Sequence, residues 1–138
     1  MATKKYIPKP EGLPLELHRV CVETGVLHIQ RCQDCGQLRH PPRWYCPHCH
    51  SKQYELAPVS GEGTIYSTVI NHYTVDLGWA DEVPYTSAVV ELAEGPRVIG
   101  HLRGVEPGGA RLGSAVRVVV EPRGQDFAFL SVEMLPEP

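Results

Sequence analysis

Along the first thirty residues, Leu13, Leu17, Val20, Cys21 and Thr24 fall at helical spacing, with polar residues between them. Pro14 suits a first helical turn and Gly25 suits the position just past a helix end, so the pattern predicts one amphipathic helix. That stripe has too little chain around it to form a core, and it must pack on another part of the protein or on a partner.

From about residue 59 onward the period changes to two. "GTIYSTVINHY", "YTSAVVELAEG", "RVIGHLRGV", "SAVRVVVEP" and "FAFLSVEML" are rich in Val, Ile, Thr and Tyr, and "AEGP", "EPGGARLG" and "PRGQD" between them are turn chemistry. In the fourth run Val116, Val118 and Val120 share one face, and Ala115, Arg117, Val119 and Glu121 share the other. The fifth places Ala128, Leu130, Val132 and Met134 together. This is the alternation of a half-buried antiparallel sheet. Five such strands close most economically into a small barrel, because closure removes sticky edges. An OB-fold barrel is the first expectation and an SH3-like barrel the second. The organisation is therefore mainly β: an N-terminal arm and helix over residues 1–30, a cysteine block over 31–52, and a five-stranded barrel over 59–138.

Composition narrows the class. With 138 residues there is room for one main core and a small appendage. The 42% hydrophobic and 21% charged fractions are those of a globular protein, and no apolar run approaches the length that spans a bilayer. The start "MATKKYIPKPEG" has lysines without an apolar stretch behind them, which is not a secretory signal, and a cytoplasmic location is expected. The net charge of −3 leaves no surplus of Lys and Arg for a long nucleic-acid track. A modest basic cluster remains at Arg31, Arg39, Arg43 and Lys52.

That cluster surrounds "RCQDCGQLRHPPRWYCPHCH", which holds four of the five cysteines. Cys32 and Cys35 are separated by two residues, as are Cys46 and Cys49, with ten residues between the pairs. Each short spacing lets one tight turn bring two sulfurs to one ion, and the excursion is long enough for a hairpin that brings the second pair opposite. Gly36 follows the first pair, where a positive φ is often needed. A structural Zn2+, one per chain, is the expected occupant, with an iron centre or free thiols as alternatives. Four thiolates leave no open position for water or substrate, so the metal is expected to staple the chain rather than to catalyse. His40, His48 and His50 lie beside the site and are read as surface or hairpin residues.

Candidate nucleophiles elsewhere are Cys21, Ser67, Ser87 and Ser131, and candidate bases are His18, His72 and His101. His18 and Cys21 stand three apart on the expected helix, yet Cys21 also completes the apolar stripe and reads as a small buried hydrophobe. No G-x-S-x-G, phosphate loop or paired acidic cluster is present. The widest break between strands, residues 73–85 with Trp79, is the segment expected to contact a partner or ligand.

A short helix, then "RCQDCGQLRHPPRWYCPHC" with its internal Pro41, Pro42 and Arg43, then "GEGTIYSTVINH" with its Gly61-to-Ser67 start, then a glycine-punctuated barrel, resembles the acyl-CoA-associated family of zinc-ribbon plus OB-fold proteins. The resemblance covers residues 14 to 134, and departs at His40, where relatives often carry an apolar residue. It implies a rubredoxin-like ribbon and an accessory subunit that assembles with a thiolase-like enzyme in a hetero-oligomer, near an acyl-CoA substrate. A retro-aldol lyase acting on a steroid side-chain CoA ester is the preferred specific partner. On that reading Arg39, Arg43 and Lys52 are candidates for CoA phosphates, and Trp44 and Trp79 for partner or acyl contact. A nucleic-acid-binding ribbon and barrel, or a self-sufficient acyl-CoA enzyme, are the competing readings.

Overall fold

A computed structural model describes residues 5–136; the chain ends at 1–4 and 137–138, which belong to the expected arm and barrel segments, lie outside the described residues. The first element is helix α1, Leu13–Thr24, with Pro14 in its first turn. It ends where Gly25 turns left-handed at φ 71° and donates its N–H to the Cys21 carbonyl at 2.9 Å. Leu13, Leu17 and Cys21 are its buried face. That face packs against the barrel and the adjoining ribbon strand, and Leu17 and Cys21 share one core with Leu27, Ile29, Val90, Val98 and Val132.

The ribbon is a three-stranded antiparallel sheet of β1 (His28–Cys32), β2 (Leu38–Arg39) and β3 (Tyr54–Pro58), with β1 in the centre. It reaches beyond the cysteine block on both sides. Strand β1 shows no alternation because it is covered on both faces: His28, Ile29, Gln30 and Cys32 are all buried.

Five strands then close a barrel in the order β4-β5-β6-β8-β7: β4 (Glu62–Asn71), β5 (Tyr85–Leu92), β6 (Arg97–Arg103), β7 (Ala115–Arg123) and β8 (Phe127–Met134). The parallel β6–β8 pairing and the β4–β7 closure are those of an OB-fold, the first of the two barrels expected. A register shift between Ile65 and Ser67 lets β4 bend to serve both neighbours. The barrel interior is filled by Ile65, Ala88, Val90, Val98, Val116 and Val132.

The glycines of "GEG" make that closure possible. A Cβ on Gly63 would overlap the Glu91 carbonyl oxygen, and one on Gly61, at φ 79°, would sit 2.8 Å from the Val118 carbonyl oxygen. Only bare backbone lets β4 approach β5 and β7 this closely.

One face departs from simple alternation. The outward residues of β8, Phe127, Phe129 and Ser131, are half-buried or buried rather than solvated. Trp79 packs against Phe129, and Glu121 beside them accepts from Arg103 Nε and Nη2 at 3.0 and 3.1 Å and from Arg123 Nη2 at 3.0 Å. No helix among the described residues is long and apolar enough to cross a membrane.

Candidate metal centre and binding surfaces

Each cysteine pair sits on a tight turn of the same design. In the first, Gly36 N–H donates to the Cys32 carbonyl at 2.9 Å and Gly36 has φ 79°; in the second, His50 N–H donates to the Cys46 carbonyl at 2.9 Å and His50 has φ 64°. The two turns bring all four Sγ atoms within 4.8 Å of one another. Cys32 and Cys49 stand 3.5 Å apart and Cys35 and Cys46 stand 3.6 Å apart. A disulfide needs about 2.05 Å. A tetrahedral ion with Zn–S bonds of about 2.3 Å places its sulfurs about 3.8 Å apart, so these four residues fit zinc.

The thiols also need a cation on electrostatic grounds. Cys32 is held down to about 6, chiefly by the Cys35 backbone N–H. Cys49 is pulled down by the Ser51 N–H, but burial and the other three sulfurs outweigh that and push it up to about 12. Four clustered sulfurs cannot all ionise alone. Asp34 and Ser51 join the two turns by a further hydrogen bond.

Between the turns runs the hairpin that carries Arg43 and Trp44, with a cis peptide between His40 and Pro41. Its backbone is gripped from β1 and β2. Gln30 Oε1 accepts from Arg43 N–H at 2.7 Å, Gln30 Nε2 donates to the Arg43 carbonyl at 2.9 Å, and Arg39 Nη2 donates to that carbonyl at 3.0 Å. Arg39 is only 7% exposed, and its buried Nε and Nη1 have no hydrogen-bond partner among the described residues. Arg43 and Lys52 are exposed, and Lys52 Nζ lies 5.1 Å from the centre of the Tyr45 ring. Trp44, 64% exposed, stands out at the hairpin tip beside Tyr45.

The long β4–β5 connection divides its apolar residues between two directions. Trp79, at the end of a 3-10 turn over Leu77–Trp79, folds inward against Tyr85, His101 and Phe129 at ring-centre distances of 5.1, 5.5 and 5.9 Å. Lys5 Nζ lies over its ring, 5.0 Å from the centre, and pairs with Glu82, and Tyr6 N–H donates to Asp76. Tyr73, Val75 and Leu77 point outward, Val75 at 85% exposure. Their odd-numbered spacing in "YTVDL" marks them, but which way the loop faces is set by the Trp79 anchor.

His18 and Cys21 do not pair with each other. His18 Nδ1 accepts from Ala128 N–H at 3.0 Å, and Cys21 Sγ accepts from His28 N–H at 3.3 Å in a buried setting that raises its thiol. Ser87 accepts from Asn71 at 3.0 Å, Ser131 is buried, and His72 is exposed past the end of β4. Ser67 is half-buried in the bend of β4. His101 is half-buried in the Trp79 cluster, as its strand position implied.

Residues 22–55 match the ChsH2 rubredoxin-like zinc ribbon domain, and residues 57–121 match the ChsH2 C-terminal OB-fold domain. The α subunit of 3-oxo-4,17-pregnadiene-20-carboxyl-CoA hydratase from Mycobacterium tuberculosis is 40% identical over 96 residues, 70% of this chain and 30% of that one. A DUF35 domain-containing scaffold protein from Methanothermobacter thermautotrophicus is 37% identical over 101 residues, 70% of this chain and 74% of that one. A solved structure described as the Ltp2-ChsH2(DUF35) aldolase contains a chain that superposes with a TM-score of 0.80 at 30% identity, covering 93% of this chain and 98% of that one. The chain spans 28% and 30% of the lengths of the two hydratase α subunits it matches. Both halves of the architecture, in the same order and nearly end to end, place the chain in the DUF35 family of ChsH2-type zinc-ribbon and OB-fold proteins.

Proposed function

We propose that this chain is a non-catalytic accessory subunit that assembles in the cytoplasm with a thiolase-like enzyme and supports its acyl-CoA site. The single observation carrying this is the near end-to-end likeness to the DUF35 chain of an aldolase complex. A retro-aldol cleavage of a steroid side-chain CoA ester is the specific reaction preferred. The substrate for which the mycobacterial hydratase relative is named, a pregnadiene carboxyl-CoA, supports that choice. One Zn2+ per chain, held by Cys32, Cys35, Cys46 and Cys49, fixes the hairpin and takes no part in the chemistry.

The surfaces support docking. Two exposed apolar groups, Trp44 with Tyr45 on the ribbon and Tyr73, Val75 and Leu77 on the barrel loop, are the kind of residue that an interface core buries. Arg43 and Lys52, both exposed, flank the first group and are the residues we assign to CoA phosphates. Arg39 acts beneath them by holding the Arg43 carbonyl, and Trp79 anchors the loop that presents the second group.

Co-purification from the native source, followed by identification of the bound protein, tests the reading. A thiolase-fold enzyme is expected, with assembly lost in Trp44→Ala combined with Val75→Glu. Recovery of the chain alone, as a monomer fully active on an acyl-CoA, overturns it.

A further inference from the structure

A cavity of about 380 Å³ lies between α1 and the outer face of β6 and β8, bordered by His40 of the hairpin and by Trp79. This is within the size range of small-molecule sites. It also sits on the barrel face that OB-folds use for ligands, flanked by the β4–β5 connection. One wall is the Trp79, Tyr85, His101 and Phe129 cluster, and another is His18 stacked on Phe127 at 4.8 Å and 23°. Aromatic walls of this kind select a flat guest. Among the described residues no Lys, Arg, Asp or Glu lines the cavity itself, and Lys5 and Arg103 stand behind its Trp79 and His101 walls, so the lining offers an ionic guest no direct partner.

Among the polar side chains that line the cavity, Ser87 is taken up by Asn71 and His28 by the Val26 carbonyl, and Tyr85, Trp79 and Cys21 also border it. For His18, His40 and His101 the surroundings decide which nitrogen carries the proton. His18 Nδ1 accepts a hydrogen bond from Ala128 N–H, which puts its proton on Nε2. Among the described residues nothing pairs with the buried Nδ1 of His40 or of His101. An unpaired lone pair there costs less than a buried, unpaired N–H, so Nε2 carries the proton in both. Burial lowers all three below the usual histidine value, and the rings are neutral at pH 7. Three neutral imidazoles at a cavity with no charged lining side chain among the described residues favour a neutral acceptor.

We propose that this cavity binds a flat, uncharged ketone or keto-acyl group, whose carbonyl oxygen accepts from the imidazole N–H of His101 or His40 while its ring or alkene packs against Trp79 and Phe129. The site needs no enzyme partner and stands apart from the accessory reading. The same carbonyl group is presented by a free ketone and by the acyl end of a CoA thioester.

Titration of the zinc-loaded full chain, followed by the indole 15N–H signals, separates the possibilities with acetophenone, ethylbenzene and benzoylacetyl-CoA as probes. Acetophenone is expected to shift the Trp79 signal saturably, leave Trp44 unmoved, and bind at least about fivefold more tightly than ethylbenzene, the value of one hydrogen bond. In His101→Phe, or His40→Phe if the first does not fold, that preference should fall below about twofold. Tighter binding of the thioester assigns the site to CoA-borne acyl groups, and tighter binding of acetophenone assigns it to free ketones. Equal binding of ethylbenzene, a preference untouched in both variants, or no saturable shift overturns the proposal.

Discussion

Gln30 holds Arg43 by both backbone groups, its Oε1 accepting the Arg43 N–H at 2.7 Å and its Nε2 donating to the Arg43 carbonyl at 2.9 Å. Gln30 is fully buried in β1, so a primary amide mimics a strand partner for the tip of the hairpin. Gln30→Ala strips both bonds at once and leaves the Arg43 N–H without its partner. The expected loss is about 2–3 kcal/mol in urea unfolding with zinc saturating. Faster hydrogen exchange at the Arg43 amide locates the damage. An unchanged unfolding midpoint would show that water replaces the clasp.

The same hairpin is held from its other end by the four-cysteine cluster, whose geometry fits a structural zinc. Structural zinc contributes on the order of 10 kcal/mol in small ribbons, more than the few buried apolar residues of residues 31–52 supply. Fresh protein should contain about one zinc per chain, and chelation should collapse the amide signals of residues 31–52 while those of the barrel core persist. Cys46→Ser should do the same without chelator. Retention of ribbon signals after complete metal removal would contradict the stapling role.

Much of this fold is legible in the sequence because local chemistry decides it. Pro14 and Gly25 bound the helix, the Cys-x-x-Cys pairs set the two turns, and period-two alternation marks the five barrel strands. What escapes is decided by distant partners. Strand β1 is covered on both faces and includes a buried Gln30, so it has no alternation to read. Arg39 resembles a surface charge until β2 places it under the hairpin. Trp79 and Val75 lie four residues apart in one loop, and only the aromatic partners on β5, β6 and β8 turn one inward and leave the other outside. The histidine-lined cavity draws its residues from α1, the ribbon and the barrel, and no local pattern joins them.

His50 offers a clean comparison between the two cysteine turns. It occupies the place that Gly36 has in the first, at φ 64°, in the left-handed region that costs most side chains about 1 kcal/mol or more. His50→Gly relieves that strain but adds chain entropy to the unfolded state, so a net gain of about 0.5 kcal/mol is expected. Apparent zinc affinity should rise by no more than about twofold, because ribbon folding and metal binding are linked and, among the described residues, the four sulfurs form the cluster. A fall in affinity would make His50 a participant in the site rather than a turn residue.

Acid should weaken the junction between helix, ribbon and barrel before it titrates most carboxylates. Burial depresses His18, His40 and His101, with the His18 charge adding to the effect on His40, and Arg103 to that on His101 against Glu82 and Glu121. A depressed folded value means that the unfolded chain takes up protons first as pH falls. Stability is therefore whole above about pH 7.5, declines as pH drops through the unfolded value of about 6.5, and levels off once the folded values are passed. The urea midpoint at pH 5.5 should lie below that at pH 7.5 with zinc saturating. His40 is the sharpest probe, because no described group pairs with its buried Nδ1 and phenylalanine removes the titrating nitrogens while keeping an aromatic ring. His40→Phe should match or exceed the parent at pH 7.5, and should lose less between the two pH values. Zinc release in acid would lower both proteins alike, so the difference between them isolates the histidine.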